Sequence, residues 1–72
     1  MFNIRLKDLR KSRKLTQKQV AAGIEISERR YIDLETGKYQ PSFETLRSLC
    51  EYFQCSSDYL LGLSDNPDSH KS

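Results

Sequence analysis

The chain has 72 residues and a net charge of +2. That is one small domain with a thin core. Hydrophobic residues at 36% and charged residues at 31% fit a folded globule rather than a disordered chain. No apolar run is long enough for a membrane span, and Met1-Phe2-Asn3-Ile4-Arg5 holds no apolar h-region of a secretory signal.

Every segment reads as helix. Phe2, Leu6, Leu9 and the stem of Arg13 recur at helical spacing, which predicts a first helix over 2–13. Leu15 follows as an inward-facing linker residue. Thr16-Gln17-Lys18-Gln19 is a capping box, so a short second helix over 17–23 turns Val20, Ala21 and Ile24 inward. The chain breaks at Gly23-Ile24-Glu25-Ile26, and Ser27 caps a third helix over 28–35 with Tyr31 and Leu34 inward. Gly37 ends it by taking positive φ. Lys38-Tyr39-Gln40-Pro41 is loop, since Pro41 disfavours helical geometry at Gln40. Ser42 caps a fourth helix over 43–53 with a stripe of Phe43, Leu46, Leu49, Cys50 and Phe53. Ser56 caps a last short helix holding Tyr59, Leu60 and Leu61, which Gly62 ends. Five short helices predict a compact all-α domain over 1–63. Residues 64–72 have no apolar periodicity and read as a disordered tail.

Charge is uneven along the chain. Residues 1–38 hold ten Lys/Arg against five acids, whereas 39–72 hold two against five. Such asymmetry suits an anionic partner approached from one side, although a solvated lysine-rich helix face has the same composition. Two cysteines, Cys50 and Cys55, and one histidine, His70, make neither a disulfide framework nor a closed zinc site. Cys50 reads as a small apolar core residue and His70 as inert. No catalytic triad, paired-acid pocket or phosphate-cradling glycine loop appears, so no enzyme, cofactor, metal or small-molecule ligand is expected.

The second and third helices, joined by a tight turn, form a helix-turn-helix, whose second helix can lie in a DNA major groove. Leu15-Thr16-Gln17, Val20-Ala21, Ile26-Ser27, Leu34-Glu35-Thr36-Gly37-Lys38, Pro41-Ser42-Phe43-Glu44-Thr45-Leu46 and Ser56-Ser57-Asp58-Tyr59-Leu60-Leu61-Gly62 stand in order and in register. Together they resemble the phage repressor and Cro-type (XRE-like) helix-turn-helix family of transcriptional regulators over residues 2 to 63. The resemblance implies a lambda-repressor-like five-helix domain. It also implies a cytoplasmic, bacterial or phage-encoded protein that binds a palindromic double-stranded DNA operator as a homodimer, most simply as a repressor.

Site expectations combine this likeness with the chemistry of each residue. Glu28, Arg29, Ile32 and Asp33 lie opposite the inward face of the third helix. Arginine can pair with guanine O6 and N7, a carboxylate can accept from cytosine N4, and Ile32 can touch a thymine methyl. If the two acids read bases, the operator is rich in G·C there. Otherwise Glu25, Arg29 and Asp33 are an i, i+4 charge ladder. Gln17 opens the second helix and is expected at a phosphate, as are Arg30, Thr36, Lys38, Tyr39, Gln40 and the start of the fourth helix at Phe43. The resemblance implies an ion pair between Arg10 and Glu35, and a dimer contact at Ser57, Leu60 and Leu61, because Leu60 and Leu61 cannot both turn inward with ease. A protein-binding module on the same fold, antitoxin-like or an anti-repressor partner, is the alternative that the acids at 28 and 33 favour. The chain can also be the N-terminal part of a longer regulator. One position departs from the family: Glu25 stands where the turn usually holds glycine. If positive φ is needed there, glutamate costs on the order of 1–2 kcal/mol, and Gly23 can relieve this by ending the second helix early.

Overall fold

The computed structural model describes residues 2–63. The expected tail at 64–72, with His70, lies outside the described residues. Five helices follow in order: α1 (Phe2–Ser12), α2 (Gln17–Gly23), α3 (Glu28–Thr36), α4 (Phe43–Phe53) and α5 (Ser57–Leu60). No strand occurs among the described residues.

Helix starts are set by hydroxyl caps. Thr16, Ser27, Ser42 and Ser56 each accept a hydrogen bond from the backbone N–H three residues on. At α2 the box is complete, with the Thr16 N–H donating back to Gln19 Oε1 at 2.7 Å. Helix ends share one device. Lys14, Glu25, Gly37, Gln54 and Gly62 all adopt positive φ, between 57° and 86°. After each of them the next N–H donates back to a carbonyl five residues earlier: Leu15 to Arg10, Ile26 to Ala21, Lys38 to Asp33, Cys55 to Cys50 and Leu63 to Asp58. These are Schellman closures, and only two of the five use glycine.

The core collects Phe2, Leu6 and Leu9 of α1, Val20 and Ala21 of α2, Tyr31 and Leu34 of α3, Leu49 and Phe53 of α4, then Cys55 and Leu60. Burying a side chain such as Leu49 or Phe53 contributes about 1.5–3 kcal/mol. Leu15, Ile24, Ile26, Leu46, Cys50, Tyr52 and Tyr59 pack partly buried around it.

Four expectations are corrected. Helix α1 stops at Ser12, because Lys14 reverses the chain and Arg13 swings onto α4. There its Nη2 donates to the Phe53 carbonyl at 2.7 Å and its guanidinium lies over the Phe53 ring. Phe43 does not share the inward stripe of α4; it sits at the helix start, 78% exposed. Leu60 is fully buried, because the one turn of α5 turns it into the core, so its side chain offers no surface to a partner; Leu61 is the exposed member of the pair. Helix α2 ends at Gly23 as expected, yet Glu25 still has φ 63°, so that glycine does not relieve the strain there. Gly23 serves packing instead. A Cβ there would lie 2.3 Å from Cε1 of Tyr52, so the absence of a side chain is what lets the tyrosine ring lie against α2.

Candidate nucleic-acid interface

Helix α3 presents two chemically different sides. Its inner side is Tyr31, Leu34 and Glu35, all buried. Its outer side carries Glu28, Arg29 and Arg30 exposed, with Ile32 and Asp33 half-buried at the margin. The Arg29 side chain is 81% exposed and its Nε stands 3.9 Å from Asp33 Oδ1. A pair this open and this long contributes little to stability. The guanidinium is therefore available to an outside acceptor, and Asp33 sits beside a cation rather than alone.

The loop after α3 extends this face. Four groups converge on the Asp33 carbonyl: the N–H groups of Gly37, Lys38 and Tyr39, and the Thr36 hydroxyl at 3.2 Å. That convergence folds Lys38, Tyr39 and Gln40 back alongside the helix, all three exposed. The Arg30 guanidinium lies 5.2 Å from the centre of the Tyr39 ring, a cation–π contact that holds both beside each other. At the start of α4, the backbone N–H groups of Phe43 and Glu44 point out of the helix end, as the first amides of any helix do. Arg29, Arg30, Lys38, the Tyr39 hydroxyl and Gln40 thus form one exposed set of donors running from α3 into the loop.

Behind this face lies a polar cluster that joins three helices. Arg10 and Glu35 form a two-pronged pair, Nε to Oε2 at 2.6 Å and Nη2 to Oε1 at 3.2 Å. Their side chains are 12% and 3% exposed. The remaining prong of Arg10 donates to the Leu15 carbonyl at 2.9 Å. Glu35 also accepts from the Tyr31 hydroxyl and from Gln17 Nε2 at 3.2 Å. Burial alone would raise the Glu35 pKa, but hydrogen bonds from Arg10, Tyr31 and Gln17 outweigh it and hold the carboxyl below its ordinary value. The same pair raises Arg10 further, chiefly through the Glu35 bond. Burial, and then the Glu35 carboxylate, push the Tyr31 hydroxyl well above the ordinary tyrosine range, so it stays a proton donor. The ion pair that the family likeness implied is present. What sequence reasoning missed is that Tyr31 and Gln17 belong to it.

Ser57 and Leu61 are exposed at the far end. The two thiols lie at the closure of α4. Burial raises both, and Cys55 reaches about 11. Among the described residues no group of metal-ligating side chains gathers, and no helix is long and apolar enough to cross a membrane.

A helix-turn-helix family model matches residues 6–60. The chain belongs to this helix-turn-helix family. It is 40% identical over 68 residues to the HTH-type transcriptional regulator YobD of Bacillus subtilis (strain 168), covering 94% of this chain and 61% of that protein. It is 36% identical over 53 residues to the cryptic phage CTXphi transcriptional repressor RstR of Vibrio cholerae, covering 74% of this chain and 48% of RstR. The chain thus spans about half to three-fifths of the length of these relatives. Among solved structures, the P22 c2 repressor protein crystallised with a synthetic operator superposes with a TM-score of 0.83 at 28% identity, over 89% of this chain and 97% of that one. Fold and family membership agree with what the residue pattern implied.

Proposed function

We propose that the chain is a cytoplasmic, sequence-specific double-stranded DNA-binding transcriptional regulator, acting as a repressor and without catalysis. The observation that carries this reading is the outer side of α3, where Glu28, Arg29 and Arg30 are exposed among the described residues, led by Arg29. The likeness to an operator-bound repressor supports it. In this reading α3 enters the major groove with Glu28, Arg29, Ile32 and Asp33 toward base edges. Gln17, Arg30, Thr36, Lys38, Tyr39, Gln40 and the amide of Phe43 meet phosphates. Two copies bind a palindromic operator with their α3 helices about 34 Å apart, touching through Ser57 and Leu61. The protein-binding alternative loses its main support, because Asp33 lies beside Arg29 rather than forming an open acidic patch with Glu28.

The test begins with selection of bound sites from random duplexes, which yields the operator. Arg29→Ala then lowers discrimination between operator and random DNA by about 1–3 kcal/mol. Equal loss on both kinds of DNA removes the base-reading role. Affinity for random DNA falls steeply with salt if phosphates dominate; no retardation of random DNA at low salt defeats the whole reading in favour of a protein partner.

A further inference from the structure

Gln17 stands at the outer edge of α2, where the proposed function assigns it a phosphate. Its carboxamide is not free to rotate. One of its two N–H groups is committed to Glu35 Oε1 at 3.2 Å, which leaves the second as the group that can meet an outside oxygen. The direction of that second N–H therefore depends on how the Glu35 carboxylate is turned.

Three donors besides Gln17 fix that plane. Arg10 takes one prong on each oxygen, from α1. The Tyr31 hydroxyl takes Oε2, from one turn earlier on α3. Without the hydroxyl, Oε2 keeps only the Arg10 Nε bond. The carboxylate can then tilt toward Arg10, and Oε1 no longer stands still for Gln17.

We infer that Tyr31 is a positioning residue for DNA backbone binding: through Glu35 it aims the Gln17 carboxamide outward. The inference rests on the proposed phosphate role of Gln17. A glutamine held in one rotamer before binding loses less freedom on meeting its phosphate than a glutamine that must be ordered at that moment. Arg10 makes the arrangement tolerable beside DNA, since it neutralises Glu35 behind the surface. The buried side of α3 and the α2 edge are thereby one unit, although the tyrosine ring itself reads as core.

A double-mutant cycle in the full chain tests this. Wild type, Tyr31→Phe, Gln17→Ala and the double variant are compared for binding to a random-sequence duplex at one salt concentration, with thermal unfolding confirming that all are folded at the assay temperature. Each single variant weakens binding by about three- to tenfold, and the double variant is no weaker than Gln17→Ala alone, because interacting residues are not additive. The side-chain amide signals of Gln17 in the NMR spectrum shift in Tyr31→Phe, a change that a uniform loss of stability does not produce. Losses that multiply, or Gln17 signals that stay in place, overturn the inference while leaving Gln17 as a phosphate contact. Gln17→Ala binding as tightly as wild type overturns that contact itself, and the inference falls with it. Should Tyr31→Phe fail to fold, the free wild-type protein decides: a single side-chain rotamer of Gln17 in its NMR couplings, with its amide close to Glu35 and Tyr31, supports the inference, and rotamer averaging of Gln17 overturns it.

Discussion

Two of the arginine–carboxylate pairs among the described residues, Arg10–Glu35 and Arg29–Asp33, do opposite things. Arg10 and Glu35 are buried, two-pronged and short, and every polar atom around them has a partner. Arg29 and Asp33 are one helical turn apart on the open side of α3, at 3.9 Å, with the arginine in solvent. The first pair fixes how α3 is held against α1. The second leaves its guanidinium uncommitted. The contrast teaches that one helix can carry two kinds of face: the buried one orients it, and in the proposed function the exposed one does the recognition. The buried face has its polar atoms partnered, while on the exposed face the Arg29 guanidinium stays in solvent.

The contrast is broken most forcefully at Arg10. Arg10→Met strands a buried carboxylate and destabilises the fold by about 3–5 kcal/mol in urea unfolding, whereas Arg29→Ala changes stability by less than about 0.5 kcal/mol in the same assay. Comparable losses in the two variants would erase the distinction. Acid sharpens it next. The Glu35 carboxyl is held below its ordinary pKa, so the unfolded chain takes up this proton first as pH falls. Its contribution is fully present above the unfolded value of about 4.3 and is lost as pH drops through the lower folded value. The decline of unfolding free energy below about pH 4.3 is therefore steeper in wild type than in Glu35→Gln. Parallel curves would mean that Glu35 is not the group that titrates there. The smallest effect concerns the turn that delivers α3. Glu25→Gly removes the left-handed strain and stabilises the protein by about 1 kcal/mol, seen as a melting temperature higher by about 4–8 °C. No gain would show that the Glu25 side chain compensates its own backbone.

Local chemistry was readable from the sequence, and distant geometry was not. The caps at Thr16, Ser27, Ser42 and Ser56 and the stop at Gly37 depend on hydrogen bonds within a few residues, and all five stand where the pattern placed them. The inward stripes of α1 and α3 were legible for the same reason. Gly23 marks the end of α2 as the pattern placed it, but its second purpose, the close approach of Tyr52 from another helix, has no signal within its own segment. Leu60 and Leu61 could not be told apart because α5 is a single turn, too short for periodicity to choose a face. Gln17 and Tyr31 read as a polar helix start and a core aromatic. The Gln17 bond to Glu35 comes from another helix, and no spacing rule in one segment announces it; Tyr31 stands four residues before Glu35 on α3, a spacing that brings the two together but that its reading as a core aromatic hid. Of the site, the exposed donors of α3 were visible as a pattern of residue types and the Arg10–Glu35 pair through the family likeness, while the bonds of Tyr31 and Gln17 to that pair were not.

The five helix closures carry a kinetic consequence. Each reversal of the chain is settled by an N–H that reaches a carbonyl five residues back, before any distant contact is required. Little loop-closure entropy must be lost ahead of the first stabilising contacts. Refolding from denaturant should therefore fall in the microsecond-to-millisecond range of helical domains built from near neighbours, and the chain should regain its shape almost as soon as it is diluted.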